Sequence, residues 1–408
     1  MKSAQHLFGF TLFLVCIAAS TEATCGQGDD SYAAVRRRMV ETAVIGAGVT
    51  DRRVIQSLLD TPRHEFVERK LRDMAYFDMS LPIGFQQTIS SPFIVAFMTE
   101  CLETKPTDKV LEIGTGSGFQ AAVLSPLVKH VYSIEIIPGL GRKAKATLRR
   151  LKYDNVSTKV GDGFKGWAEH APFDKIIVTC SPEKPPLPLI EQLREGGMMV
   201  IPVGERYQQI LYVFRKKDGK LEAEALRRTL FVPMTGRAED VRAVQPDPAN
   251  PRAVNGNFES KLGENGFVRG WYYQRLLTWE TDGAPEGRHF VTFKNEQSGR
   301  SAHLLQGFPI DGRLVAELTV STKVKYSDVL NPPRSNSVPS LAVTFYDANR
   351  KDLGIFWLGP YRGTSAWKSE SKTFRVPVKA REGILRIGLY GATGQLSFDD
   401  VKITPRAR

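Results

Sequence analysis

An apolar segment that runs directly into a glycine-rich turn restricts the possible folds of this chain more than any other feature. Residues 110–113 have the composition of a buried strand, and residues 114–118, Gly-Thr-Gly-Ser-Gly, follow at once. The apolar spacing of residues 119–128 then predicts a helix. Glycines in such a turn let a ligand approach the backbone closely, and the helix N-terminus offers unpaired amides. This unit is typical of nucleotide-binding α/β domains.

Short apolar runs alternate with amphipathic stretches around this turn. The runs lie at residues 109–113, 131–134, 175–179 and 198–203. Such alternation predicts a parallel sheet covered by helices, and the apolar spacing of residues 31–74 predicts further helices before it. Residues 209–215 and 230–233, with Asp218-Gly219 between them, predict an antiparallel hairpin at the sheet edge.

The composition changes near residue 245, where Pro246, Pro248 and Pro251 fall close together, as expected of an extended linker. Beyond it, short alternating runs separated by Gly, Pro, Asn and Asp indicate a β-sandwich or jelly roll. With 408 residues, the chain has room for two to three domains. The predicted segments are a signal peptide at 1–23, an α/β domain at 31–244, a linker at 245–253 and an all-β domain at 254–408.

Acidic residues at successive strand ends indicate which ligand the turn binds. Glu135 ends the strand after the turn, where a carboxylate can bind both hydroxyls of a ribose. Glu112, beside the turn, would repel a pyrophosphate but suits a cationic amino-acid tail. Asp162, in the loop of residues 161–163, can accept a hydrogen bond from an adenine amine. This set favours S-adenosylmethionine over a dinucleotide.

The stretch from about residue 49 to 240 resembles the protein-L-isoaspartate O-methyltransferase family over a long collinear series of motifs. The motifs are Leu81-Pro82-Ile83-Gly84, Gln87-Thr88-Ile89-Ser90, residues 111–118, Asn155-Val156-Ser157, Gly161-Asp162-Gly163, Ala171-Pro172-Phe173-Asp174 and Phe231-Val232-Pro233. The resemblance implies a Rossmann-like, class I S-adenosylmethionine-dependent methyltransferase domain, followed here by the all-β jelly roll. It also implies methylation of isoaspartyl and D-aspartyl carboxylates in damaged proteins or peptides, as a step of protein repair.

The resemblance assigns Ser90 as the catalytic candidate, with Thr88 and Ile89 bordering the methyl donor. The other donor-binding candidates are Glu112, Gly114, Thr115, Gly116, Gly118, Glu135, Asp162 and Gly163. A carboxylate is already ionised near neutral pH, so its methylation needs in-line placement and exclusion of water rather than a strong base. Ser90 is therefore expected to orient the carboxylate or the donor. Ser91-Pro92 fits the start of the next helix, which leaves the Ser90 hydroxyl available.

One segment departs from the family pattern. Residues 179–182 are Thr-Cys-Ser-Pro, where the family tends to carry small alanines after the fourth strand. The resemblance therefore implies an acceptor pocket of different shape.

The C-terminal region, from about residue 254 to 404, resembles carbohydrate-binding modules of the galactose-binding-like jelly-roll type. The matching features are residues 254–259, Trp271, residues 364–367 with the stretch to Val376-Pro377, and residues 398–401. The resemblance implies a carbohydrate partner. Asp399, with Asn257 or Glu259, can supply oxygen ligands to a structural calcium ion, and capped turns are the alternative. The alternative function is an envelope glycan-binding protein with a vestigial or small-carboxylate methyltransferase domain.

The N-terminal residues have the layout of a secretory signal peptide, because an apolar run at 7–19 follows Lys2 and small residues come after it. The run is shorter than the roughly 20 residues of a spanning helix, so no integral membrane protein is predicted. Export to the periplasm is expected; the family and the cytosolic supply of the methyl donor imply the cytoplasm as the alternative.

The charge pattern and the spacing of the histidines and cysteines exclude further kinds of binding site. The formal net charge is +12, but no aromatic-spaced nucleic-acid motif accompanies the basic runs, so no nucleic-acid partner is expected. The charge can steer carboxylate-bearing substrates. The six histidines and four cysteines lack ligand spacing, so neither a transition-metal site nor a disulfide framework is predicted.

Overall fold

The computed structural model describes residues 31–260, 262, 266–300, 302–331, 338–348 and 350–408. The predicted signal peptide at residues 1–23 lies outside the described residues and stays a prediction. Within the described ranges, no helix has the length and apolar character needed to cross a membrane.

The region before residue 245 contains both helices and strands. The helices are α1 (Ala33–Met39), α2 (Arg52–Asp60), α3 (Pro92–Cys101), α4 (Phe119–Leu124), α5 (Pro138–Arg150), α6 (Leu187–Gln192) and α7 (Arg237–Asp240). Short 3-10 segments lie at Ile45–Ala47, Arg63–Phe66, Arg69–Met74, Ser125–Leu127, Gly163–Lys165 and Ala168–His170, and a π-helical stretch at Val40–Val44. The strands are β1 (Leu81–Gly84), β2 (Gln87–Ile89), β3 (Lys109–Ile113), β4 (His130–Glu135), β5 (Val156–Val160), β6 (Phe173–Val178), β7 (Leu193–Glu205), β8 (Gln208–Lys217) and β9 (Lys220–Thr229).

Seven of these strands form one sheet in the order β5-β4-β3-β6-β7-β8-β9. In this order, the first five strands, from β5 to β7, pair in parallel with their neighbours, as the alternation of runs and helices predicts. Strand β3 lies between β4 and β6, which explains why four of its five residues are buried. The chain order reverses on the two sides of β3, and ligands of open α/β sheets bind at such a point, outside the carboxyl ends of the strands. The glycine-rich turn begins there.

The edge hairpin differs from its prediction. Strands β8 and β9 pair in antiparallel fashion around Asp218-Gly219, but β9 is Lys220–Thr229, so the predicted second strand at residues 230–233 is wrong. Half of the residues of β9 are exposed and half are charged, because an edge strand with a solvated face needs few apolar side chains. The apolar residues 230–233 instead follow β9 into the candidate site.

The region after residue 253 is all-β, as predicted. Its strands are β10 (Leu277–Glu280), β11 (Phe290–Asn295), β12 (His303–Pro309), β13 (Val315–Leu330), β14 (Ser340–Tyr346), β15 (Asp352–Leu358), β16 (Gly363–Arg375), β17 (Glu382–Gly388) and β18 (Thr393–Ala407). They form a sheet of order β10-β11-β18-β13-β16 and a sheet of order β12-β17-β14-β15, whose apolar residues share one core. Residues 245–253 contain no helix or strand. The jelly-roll connectivity and the four segment limits stay predictions.

Candidate active site

Two positions in the glycine-rich turn after β3 have a backbone conformation that only glycine adopts easily. Gly114 and Gly116 have left-handed φ values of +96° and +55°. A Cβ atom on Gly114 would lie 2.4 Å from the Oγ1 atom of Thr179, which itself donates a hydrogen bond to the Gly114 carbonyl at 2.8 Å. The turn and the end of β6 therefore approach each other more closely than any side chain would permit.

Gly118 has a different task from the other two glycines. It precedes α4 with a φ of +90°, and a Cβ atom there would lie 3.2 Å from the Leu148 side chain of α5. The third glycine therefore allows α4 to pack against α5, and it does not line the cleft described below.

The carboxylate of Glu135 closes the turn from the end of β4. Its Oε2 atom accepts a hydrogen bond from the Gly116 amide at 2.8 Å, and its Oε1 atom accepts one from the Ile137 amide at 2.9 Å. The side chain is only 5% exposed, and burial raises its pKa above the ordinary value. A carboxylate has about four lone-pair sites, so two remain for hydroxyl groups of a ligand.

Glu112 lies beneath the turn rather than along the cleft. Its side chain is fully buried, and its Oε2 atom accepts a hydrogen bond from the Ser133 hydroxyl, which lies 2.5 Å from the Thr115 hydroxyl. The Oε1 atom has no hydrogen-bond partner within the part of the chain that the structure describes. Burial raises the pKa of Glu112 to about 8.

The raised pKa of Glu112 makes stability depend on pH. The folded protein keeps a proton that the unfolded chain releases above its ordinary pKa of 4.5, so the stabilisation is complete below that value and is lost as the pH rises through about 8. We expect the contribution of Glu112 to the free energy of unfolding to fall from about pH 5 to 8, by at most about 1.4 kcal/mol per pH unit. Glu112→Gln should flatten this slope in urea unfolding without methyl donor. Equal slopes for both proteins would contradict the assignment.

A cleft with about 520 Å³ of open space follows the carboxyl edge of the sheet. Of the predicted donor-binding residues, those that line it are Thr88, Gly114, Gly116, Glu135 and Gly163. The lining residues that sequence reasoning did not assign come from the ends of β2, β3, β4 and β6 and from the segment after β9: Gln87, Ile113, Ile134, Ile136, Thr179, Cys180 and residues 232–235. The strand-end rule could have found Thr179 and Cys180, because both follow β6 directly.

The remaining predicted donor-binding residues, Ile89, Glu112, Thr115, Gly118 and Asp162, do not line the cleft. Ile89 belongs to the hydrophobic core. Asp162 holds the neighbouring loops, because its Oδ1 atom accepts a hydrogen bond from the Phe164 amide at 3.0 Å and its Oδ2 atom accepts one from the Arg237 amide at 3.2 Å.

A smaller pocket of about 270 Å³ adjoins the cleft, and both are lined by Thr88, Thr179 and Val232. Ser90 lines this smaller pocket and is half-buried. Among the described residues, the Ser90 hydroxyl has no hydrogen-bond partner. The structure thus places the predicted catalytic hydroxyl beside the predicted donor site but outside it.

Helix α3 fixes the position of Ser90, because it begins two residues later. Ser91 precedes the helix and Pro92 starts it, as the sequence predicts, but the Ser91 hydroxyl makes no capping hydrogen bond. The carboxylate of Asp78 supplies that contact, since its Oδ1 atom accepts a hydrogen bond from the Phe93 amide at 2.9 Å.

Comparison with known proteins identifies the family of the α/β domain. Residues 36–239 match the family model described as Protein-L-isoaspartate(D-aspartate) O-methyltransferase. The chain belongs to this family. Three relatives named Protein-L-isoaspartate O-methyltransferase are similar to the chain over about half its length. The relative from Picosynechococcus sp. is 46% identical over 51% of this chain and 94% of its own. The relative from Pelotomaculum thermopropionicum is 49% identical over 51% and 91%, and that from Geobacter metallireducens is 50% identical over 50% and 94%.

Isoaspartate O-methylation is accordingly the activity of the α/β domain, and S-adenosylmethionine is its methyl donor. A solved structure named protein-L-isoaspartate O-methyltransferase is 29% identical to the chain, with a TM-score of 0.46 over 50% of this chain and 67% of its own. The family membership confirms the predicted Rossmann-like methyltransferase class.

The cleft residues of this family member fit S-adenosylmethionine. The described residues that line the cleft include no lysine or arginine, which a pyrophosphate would need, and they include the Glu135 carboxylate, which suits hydroxyl groups. Gly114 and Gly163 leave room where a Cβ atom would lie 2.4 Å from the Thr179 and Ile113 side chains. Burial raises the pKa of the Cys180 thiol, so this lining residue stays protonated near neutral pH.

The predicted calcium site in the all-β domain has no support. The Glu259 carboxylate accepts hydrogen bonds from the backbone amides of Arg288 and His289, and that of Asp399 accepts them from Asp400 and Glu286. No group of three or more metal-binding side chains (His, Cys, Asp or Glu) occurs among the described residues.

Carbohydrate binding by this domain stays a prediction. A sugar-binding site uses exposed aromatic rings for stacking, but Trp271, Tyr272 and Tyr361 of this domain are buried, whereas Trp357 is exposed. Buried rings serve the core and cannot stack on a sugar.

Proposed function

We propose that the chain methylates the free carboxylate of isoaspartyl and D-aspartyl residues in damaged proteins, with the methyl donor in the cleft and the acceptor in the smaller pocket. The observation that supports this placement most strongly is that the two spaces share Thr88 and Thr179 in their walls. An acceptor beside Ser90 would therefore lie next to a ligand bound against the glycine-rich turn.

The residues that would hold the methyl donor are Gly114, Gly116 and Glu135. When bound, S-adenosylmethionine supplies an electrophilic methyl group. Gly114 and Gly116 admit the ligand to the backbone, and the Glu135 carboxylate accepts hydrogen bonds from ribose hydroxyls. Glu112 acts through the Ser133 and Thr115 hydroxyls, and so stiffens the turn from below.

The residues of the smaller pocket orient the acceptor. The acceptor carboxylate is ionised near neutral pH and needs no base, so the Ser90 hydroxyl serves by donating a hydrogen bond that aligns it. The apolar side chains of Leu230 and Phe231 exclude water from the same pocket. This division of tasks requires no ionised nucleophile from the protein.

A methyl-ester assay with matched acceptors tests the function. The purified chain is incubated with labelled methyl donor and an isoaspartyl peptide, its ordinary aspartyl twin, or small free carboxylic acids. We expect base-labile label in the isoaspartyl peptide and at most traces elsewhere. Donor binding without transfer would favour the vestigial alternative, and equal labelling of small acids would favour the small-carboxylate alternative.

A further inference from the structure

The smaller pocket is not built by the α/β domain alone. Tyr273 lines it together with Ser80 and Ser90, although it follows the predicted linker and belongs to the all-β region. Its ring packs against the hydrophobic core of the α/β domain, and its phenol shares the pocket with the Ser80 side chain. A side chain from the appended domain thus forms part of the wall around the catalytic candidate.

The two residues before Tyr273 anchor it to the all-β domain. Trp271 is fully buried in the core of that domain, and its indole N–H donates to the Asn255 carbonyl at 3.1 Å. Tyr272 exchanges two backbone hydrogen bonds with Leu305, at 2.8 and 3.1 Å. Tyr273 itself has a left-handed φ of +51°, which a bulky residue adopts only where its surroundings enforce it.

Further contacts join this segment and its neighbours to the α/β domain. Arg275 forms an ion pair with Asp78, the residue whose other oxygen caps α3 directly after Ser90-Ser91. The Tyr272 hydroxyl donates a hydrogen bond to the Tyr207 carbonyl. The guanidinium of Arg227 lies over the rings of Phe93, at 4.7 Å, and Phe267, at 5.6 Å, and so contacts both domains.

We propose that Tyr273 is a specificity-determining residue, through which the all-β domain completes the acceptor pocket of the methyltransferase. This rests on the proposed function. The phenol is a neutral hydrogen-bond donor, because burial raises its pKa, and it lies in the same pocket as the Ser90 hydroxyl. The acceptor pocket therefore has walls from both domains, and Tyr273 is the lining residue that the all-β domain contributes.

The test separates acceptor binding from donor binding in two variants of the full chain. Tyr273→Phe removes the hydroxyl, and Tyr273→Leu also removes the aromatic wall. We expect the KM for an isoaspartyl peptide to rise about 3- to 10-fold in the first and at least about 10-fold in the second. Calorimetry with S-adenosylhomocysteine should give a Kd within about twofold of wild type in both.

Tyr390→Phe is the matched control, since the Tyr390 hydroxyl is buried in the same domain without a hydrogen-bond partner among the described residues. Its KM should equal that of wild type. An active wild type with unchanged KM in both Tyr273 variants would overturn this proposal alone. A wild type that methylates no isoaspartyl peptide would overturn the proposed function and this proposal with it. If the leucine variant does not fold, the phenylalanine variant decides.

Discussion

Replacing Gly114 by alanine is expected to lower the affinity for S-adenosylhomocysteine about 100-fold, measured by calorimetry. The new Cβ atom would lie 2.4 Å from Thr179 Oγ1, and the residue would keep a φ of +96°. Left-handed backbone costs about 1–2 kcal/mol for a residue with a Cβ atom, and overpacking costs about 1–3 kcal/mol. The turn must shift to relieve both, and the shift changes the backbone that contacts the ligand.

Gly48→Ala is the matched control for this variant. Gly48 has nearly the same φ, +99°, but a Cβ atom there would meet nothing within 4 Å. It should cost stability through backbone strain and leave donor affinity unchanged. If both variants bind the ligand as wild type does, the turn is not the donor site.

Replacing Ser90 by alanine is expected to lower kcat about 10- to 100-fold while the Kd for S-adenosylhomocysteine changes less than about twofold. A hydrogen bond to a charged group contributes about 1.5–3 kcal/mol, and this one is expected to matter for aligning the acceptor rather than for holding the donor. Steady-state kinetics with an isoaspartyl peptide, together with calorimetry, separates the two effects.

The neighbouring serine provides the control. Ser91 Oγ is buried without a hydrogen-bond partner among the described residues, so Ser91→Ala removes a hydroxyl of equal size from the next position. We expect nearly unchanged turnover in that variant. Equal turnover in Ser90→Ala and wild type would remove Ser90 from the mechanism.

The parallel sheet and the glycine-rich turn could be predicted because local sequence determines them. Buried strands are rich in apolar residues, as Val110, Leu111 and Ile113 of β3 are, and a turn that requires left-handed backbone needs glycine at residues 114 and 116. Glu135 was predictable for a related reason. The carboxyl ends of parallel strands share one edge, so the residue that ends β4 falls beside the turn after β3.

Other features depend on tertiary contacts that the local pattern does not contain. The charged sequence of β9 does not resemble a strand, and β9 forms one because it pairs with β8. The side-chain direction of Glu112 depends on Ser133 of the adjacent strand. Tyr273 reaches the acceptor pocket only because the all-β domain packs against the α/β domain. No spacing within the sequence relates it to Ser90.

A crystal structure of the full chain with saturating S-adenosylhomocysteine tests the central claim most directly. We expect the ligand in the cleft, in contact with Gly114, Gly116 and Glu135, and an open smaller pocket beside it that still contains Ser90. An empty cleft, or a ligand bound elsewhere on the chain, would contradict the assignment of this sheet edge as the methyl-transfer site.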